Sequence, residues 1–140
     1  MTWYFAAFLS AVFAALTSIL AKIGIKNVDS NLATAIRTSV ILLFTWGIVF
    51  AQGTSSSIAQ IGKISWTFLI LSGLATGLSW IFYFYALKIG EASKVVPIDK
   101  LSLVLTIIFA ALILKEKITI QAIFGVIFMT VGALMIAFAK

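Results

Sequence analysis

SKVVPIDKLSLVLTIIFAALIL, residues 93–114, carries a proline, an acid and a base near its start and then runs apolar to Leu114. An apolar helix needs about 20 residues to cross ~30 Å of hydrocarbon. If this one began after the charges, at Leu101, the fourteen residues left to Leu114 would give only ~21 Å of helix. Pro97 would then mark the first turn of a late-starting span, with Asp99 and Lys100 at the interface. The length argues against that reading and puts all three residues inside the membrane.

The rest of the chain agrees. Of 140 residues, 63% are hydrophobic and 10% charged, and the mean hydropathy is +1.21. Soluble domains charge about a quarter of their residues, so lipid is the solvent here. Absent cysteine excludes disulfide frameworks, thiol nucleophiles and thiolate metal sites. Absent histidine removes haem and most zinc chemistry. No metal or nucleotide site is visible and no cofactor is expected. The net charge of +6 forms no basic run, so it reads as membrane-flanking charge and not as a nucleic-acid surface.

Working outward from residues 93–114, windows of span length predict an all-α integral membrane protein with five helices, in one domain over residues 1–140. The spans run over residues 3–21, 32–51, 65–87, 93–114 and 118–139. IGIKNVDSN, QGTSSSIAQIGK, KIGEA and KEK connect them, and connectors this short make successive helices antiparallel neighbours. Asn27, Asp29, Ser30 and Asn31 are candidate helix-end and cap residues. The first span has no preceding basic residue and is long enough to cross, so it is expected to be a retained helix, not a secretory signal.

Sorting connectors by side places Lys22, Lys26, Lys88, Lys94 and Lys140 together, against Lys63, Lys115 and Lys117. Arg37 and Lys100 add to the first group if they snorkel to their nearer interface. The bias predicts a multi-pass protein of the inner (plasma) membrane with a cytoplasmic C-terminus. It is modest, so insertion in both orientations and pairing with an inverted copy stays open.

Small residues let membrane helices approach closely. Ala7, Ala11 and Ala15 recur every four residues, flanked by Ser10, Ala14 and Ser18, and GLATG sets Gly73 and Gly77 on the third span. Helix packing is the plainer reading of both, and a substrate-facing role the alternative. Gly125 and Gly132 suggest a further packing stripe. WIFYFY closes the third span, and helical spacing aligns Gly73, Gly77, Trp80 and Phe84, with Thr76 and Tyr83 on the flank. Glycines below aromatics leave room for rings or a ligand. Trp80 lies ~10 Å inside Leu87, deeper than an interfacial aromatic belt requires.

Charges at depth cost at least ~2.5–3.5 kcal/mol and normally have a partner. Arg37 and Asp99 enter their spans from the same side at matching depths, ~8–9 Å. Adjacent helical residues diverge by about 100°, so Asp99 is expected to pair with another helix, Arg37 first and Lys22 second. Pro97 frees the Ser93 carbonyl and disfavours helix at Val96, and open backbone at depth is tolerated where it lines a cavity.

YALKIGEASKVVPIDKLSLVLTIIFAALILKEKIT followed by GVIFMTVGALMIAFAK resembles the second half of an EamA repeat of the drug/metabolite transporter superfamily. The ordered features are Tyr85–Leu87 ending one helix, a Gly90 to Ser93 turn, Pro97 early in the next helix, Glu116 at its end, and Gly125 and Gly132 in the last span. The whole chain looks like one five-helix repeat, closest to short bacterial and archaeal members with an Asp-Lys after the Pro-Ile. The resemblance implies a small-molecule permease or exporter, commonly ten helices in two inverted repeats around a central cavity with alternating access. One repeat implies a homodimer, in antiparallel arrangement, or a second protein. The membrane Glu by which small multidrug-resistance relatives exchange protons is missing from the first span. Asp99 is the only acid deep enough to replace it, and bases beside it would hold it ionised.

The expected function is an inner-membrane permease or exporter subunit for a small polar or amphipathic metabolite. Arg37 and Lys100 would attract its negative groups, Asp99 would orient them or bind an amine, and Trp80 and Tyr83 would supply apolar contact. The competing reading is a non-transporting assembly or regulatory partner whose charges only lock helices. An enzyme is not expected, because Asp99, Glu91 and Glu116 are the only candidates for acid–base work and the glutamates lie in turns on opposite sides.

Overall fold

The computed structural model describes residues 2–139; Lys140, used above to weigh orientation, lies outside them. The elements are helices α1 (Trp3–Gly24), α2 (Ser30–Ala51), α3 (Lys63–Ile89), α4 (Ala92–Asp99), α5 (Ser102–Ile113) and α6 (Ile120–Ala137), with a 3-10 turn at Thr54–Gln60. Taken together, Ala92–Ile113 forms one span, and the described residues carry five helical stretches long and apolar enough to cross a membrane. The boundaries fall within three residues of the expected ones.

Only helices and closed barrels satisfy the backbone in lipid, and hydroxyls within the helices follow the same logic. Thr34 Oγ1 donates to Ser30 O at 2.8 Å, Thr38 to Thr34 O at 2.8 Å, Thr106 to Ser102 O at 2.8 Å and Thr130 to Val126 O at 2.8 Å. Each donates one turn back, so these four hydroxyls are satisfied within their own helices.

Helix ends follow their capping residues. Asp29 accepts from the N–H groups of Asn31 at 2.9 Å and Leu32 at 3.1 Å, and Thr119 accepts from Ala122 N–H at 3.3 Å. These bonds hold the Asp29 carboxyl below its usual range, with a smaller contribution from Lys88. After α5, Lys115 adopts a left-handed φ of 56°, and Glu116 N–H reaches back to Ala110 O at 3.2 Å.

The chain divides into two compact units. Residues 1–22 and 89–140 form the first, in which α6 packs on both α4 and α5. Residues 23–88 form the second, built on α2, the 3-10 turn and α3. The buried hydrophobic residues, Ile25, Phe84 and Leu87, all belong to this second unit, as do buried Ser30 and Thr34. Most other large apolar side chains point outward; Phe44 is 68% and Phe128 74% exposed, as expected where lipid covers the surface.

The fourth span departs from expectation. Helix was expected to fail at Val96, yet α4 runs unbroken through Pro97 and stops at Asp99. Only one turn precedes Pro97, so the Ser93 carbonyl that would clash with the ring can tilt outward without a packed turn resisting it. The break comes at Lys100–Leu101. Leu101 N–H donates to Ile98 O, Leu103 to Lys100 O and Val104 to Leu101 O, each at 3.0 Å. These i→i+3 steps wind the chain tighter than an α-helix. The break lies ~12–14 Å along the span.

Candidate functional site

In the first unit, a groove of about 350 Å³ lies between α1 and the break. Ala7, Ala11, Ala15, Ser10, Ala14 and Ser18 form one wall, and Val96, Lys100 and Leu103 face them. Helix packing was expected of Ala7, Ala11 and Ala15, and within this unit they line the groove. Close packing needs a continuous ridge to fit a smooth face, and the turn at Lys100–Leu101 interrupts the ridge running from α4 into α5.

Lys100 also borders a second cavity, of about 290 Å³, where Pro97, Leu101 and Val104 face Met129, Thr130 and Gly132 of α6. Lys100 therefore borders both cavities. The sequence pattern pointed to Gly132 only as packing. Nothing marked Met129 or Thr130, because facing the break depends on how α6 packs on α4.

Asp99 is placed differently from expectation. Its carboxylate lies 3.5 Å from Lys100 Nζ, so within the first unit it pairs with its sequence neighbour. The expected divergence holds inside a continuous helix, but α4 ends at Asp99 and Lys100 is its C-cap. A four-carbon stem leaving a helix end can fold back onto the preceding residue. The pair is half exposed. Lys22 Nζ donates to Gly90 O at 2.6 Å, tying the end of α1 to the turn before α4.

In the second unit, Arg37 of α2 lies over the rings of Trp80, 4.6 Å from the centroid, and Phe84, 5.2 Å away. Arg37 is ~10 Å from the start of α2, and the two rings are ~13 Å and ~8 Å from the end of α3. Antiparallel helices therefore bring them level. Tyr83 sits edge-on to Phe84 at 5.9 Å and within electrostatic range of Arg37. Trp80 and Tyr83 were expected as apolar contacts for a substrate. Phe84 was placed only on the stripe, although its position one turn after Trp80 was the signal for a second ring.

Within the second unit no neighbour lies against Gly73 or Gly77. A Cβ at either would meet nothing within 4 Å. The stripe below Trp80 and Phe84 stays open within this unit. Gly125 and Gly132 are equally uncovered.

Residues 1–138 match the EamA-like transporter family. The chain belongs to that family. A protein described as an uncharacterized transporter in the cobO 3' region of Sinorhizobium sp is 49% identical over 136 residues, covering 97% of this chain and 96% of the relative. An uncharacterized protein of Methanocaldococcus jannaschii is 27% identical over 74 residues, 53% of this chain and 54% of that one. No solved structure matches. This EamA-family protein is a multi-pass membrane transporter with five helical spans, and the family is one of transporters, not of enzymes.

Proposed function

We propose that this EamA-family protein is an inner-membrane permease or exporter subunit that moves a small polar or amphipathic metabolite by alternating access. The observation that carries the reading is the groove of α1, a small-residue wall facing a lysine where the fourth span breaks at membrane depth. Such a wall admits a solute without bulk to displace, and a charge there lowers the barrier to an oppositely charged group. The neighbouring cavity of α6 shares Lys100, so one side chain can follow a solute from one opening to the other.

A second copy in the opposite orientation completes the path. Support comes from the Sinorhizobium relative, which matches over 96% of its own length and so carries one such set of spans, and from the slight bias of flanking lysines. The copies would be related as the inverted repeats of larger transporters are. The C-terminus would face the cytoplasm in the favoured orientation.

Flux into proteoliposomes tests the reading, with a panel of small carboxylates, phosphorylated compounds and amines as solutes. At least one class should cross faster than in protein-free vesicles, and Lys100→Gln should reduce that flux at least tenfold. Folded, monodisperse protein that passes none of them contradicts the proposal.

A further inference from the structure

We propose that the Arg37 guanidinium, seated over Trp80 and Phe84, binds an oxyanion, a carboxylate or phosphate group, within the α2–α3 pair. The proposal rests on the transport reading and deepens it by naming the chemical group that the substrate presents.

A guanidinium stays charged in proteins and carries its donors around a planar rim. Here the ring faces at 4.6 Å and 5.2 Å attend to the positive charge, but rings accept no in-plane hydrogen bond. Among the described residues of the second unit, no hydrogen bond or ion pair engages the rim of Arg37. Three of the four acids have other engagements, and Glu116 lies in the connector after α5: Asp29 caps α2, Glu91 meets Lys94 at 3.3 Å and Asp99 meets Lys100 at 3.5 Å. An arginine ~10 Å along a span with its donors unfilled is costly in lipid. That cost falls when an acceptor fills the rim.

The shape of the donor set selects the ligand. Two parallel N–H groups match the two oxygens of a carboxylate or phosphate, and two rings hold the plane ready for them. An ammonium group has nothing to accept with and meets repulsion. On the same stripe of α3, the space about Gly73 and Gly77 is open and takes the apolar body of an amphipathic anion. A soluble metabolite and a lipid headgroup share the oxyanion chemistry, so the test separates them.

Trp80 is itself the reporter. In the full chain with Trp3, Trp46 and Trp66 changed to Phe, Trp80 fluorescence is titrated with inorganic phosphate and with acetate in dodecyl maltoside micelles at constant ionic strength. A saturable change is expected, at least tenfold weaker in Arg37→Gln. Arg37→Lys, which keeps the charge and loses the fork, should also bind several-fold more weakly, and it serves if the glutamine variant does not fold. Phosphatidylglycerol is then added to the micelles. If it saturates the signal and blocks the response to free phosphate, the site holds a lipid headgroup; if free phosphate still titrates, the source is soluble. Equal responses in wild type and both variants, or no saturable response to phosphate, acetate or phosphatidylglycerol, overturn the site. Saturable binding without flux in proteoliposomes would instead count against transport alone.

Discussion

Arg37 shows how a residue's depth can be read from sequence while its partner is not. Its place in the span follows from residue count, and opposite charge suggested Asp99 of the other unit, but nothing in the count pointed to Trp80 and Phe84, which it meets within its own unit. Ring faces attract a guanidinium without the desolvation of a second ion. A double-mutant cycle of Arg37→Met with Trp80→Leu, read by thermal unfolding in detergent, should give a coupling of ~0.5–2 kcal/mol; additive effects would remove the contact from the account. Asp29 is the complementary case, a cap legible in the sequence. Its folded pKa lies below the unfolded one, so its contribution is full above the unfolded value of about 4 and is lost as pH falls through the lower, folded value. The thermal midpoint of wild type should therefore exceed that of Asp29→Ala by a constant margin near neutral pH. The margin should shrink from about pH 4 downward, as a pH series of melting curves would show.

Among the elements, the helices were legible because ~20-residue apolar windows have one solution in lipid. The break in the fourth span was legible only as something near Pro97. Proline reports on the turn before it, whereas the tighter winding at Lys100–Leu101 depends on how α4 and α5 both lie against α6. The faces of α1 and α3 illustrate the same limit. Small residues mark where helices can approach, and within each unit those faces stay open. Amides in i→i+3 steps are held less firmly than those of a regular helix. Hydrogen exchange in micelles should therefore be at least tenfold faster at Leu101, Leu103 and Val104 than at Val126 to Val131 in α6. Equal protection would mean that the fourth span behaves as one rigid helix.

At the scale of the whole molecule, membership of a transporter family sets the task, and the proposed pairing with an inverted copy predicts how the chain inserts. With no native cysteine, single-cysteine variants report cleanly. In intact cells, Asn27→Cys should react partly from outside and partly only after permeabilisation; complete reaction from one side would exclude an inverted pair. The central claim is that the α1 groove is a watery path at the break in the fourth span. It is tested most directly by a membrane-impermeant thiol reagent on Ala11→Cys, with Phe128→Cys as the lipid-facing control, in native membranes. The account predicts that the cysteine at position 11 is modified at least tenfold faster than the one at position 128. Two equally inert cysteines would contradict it.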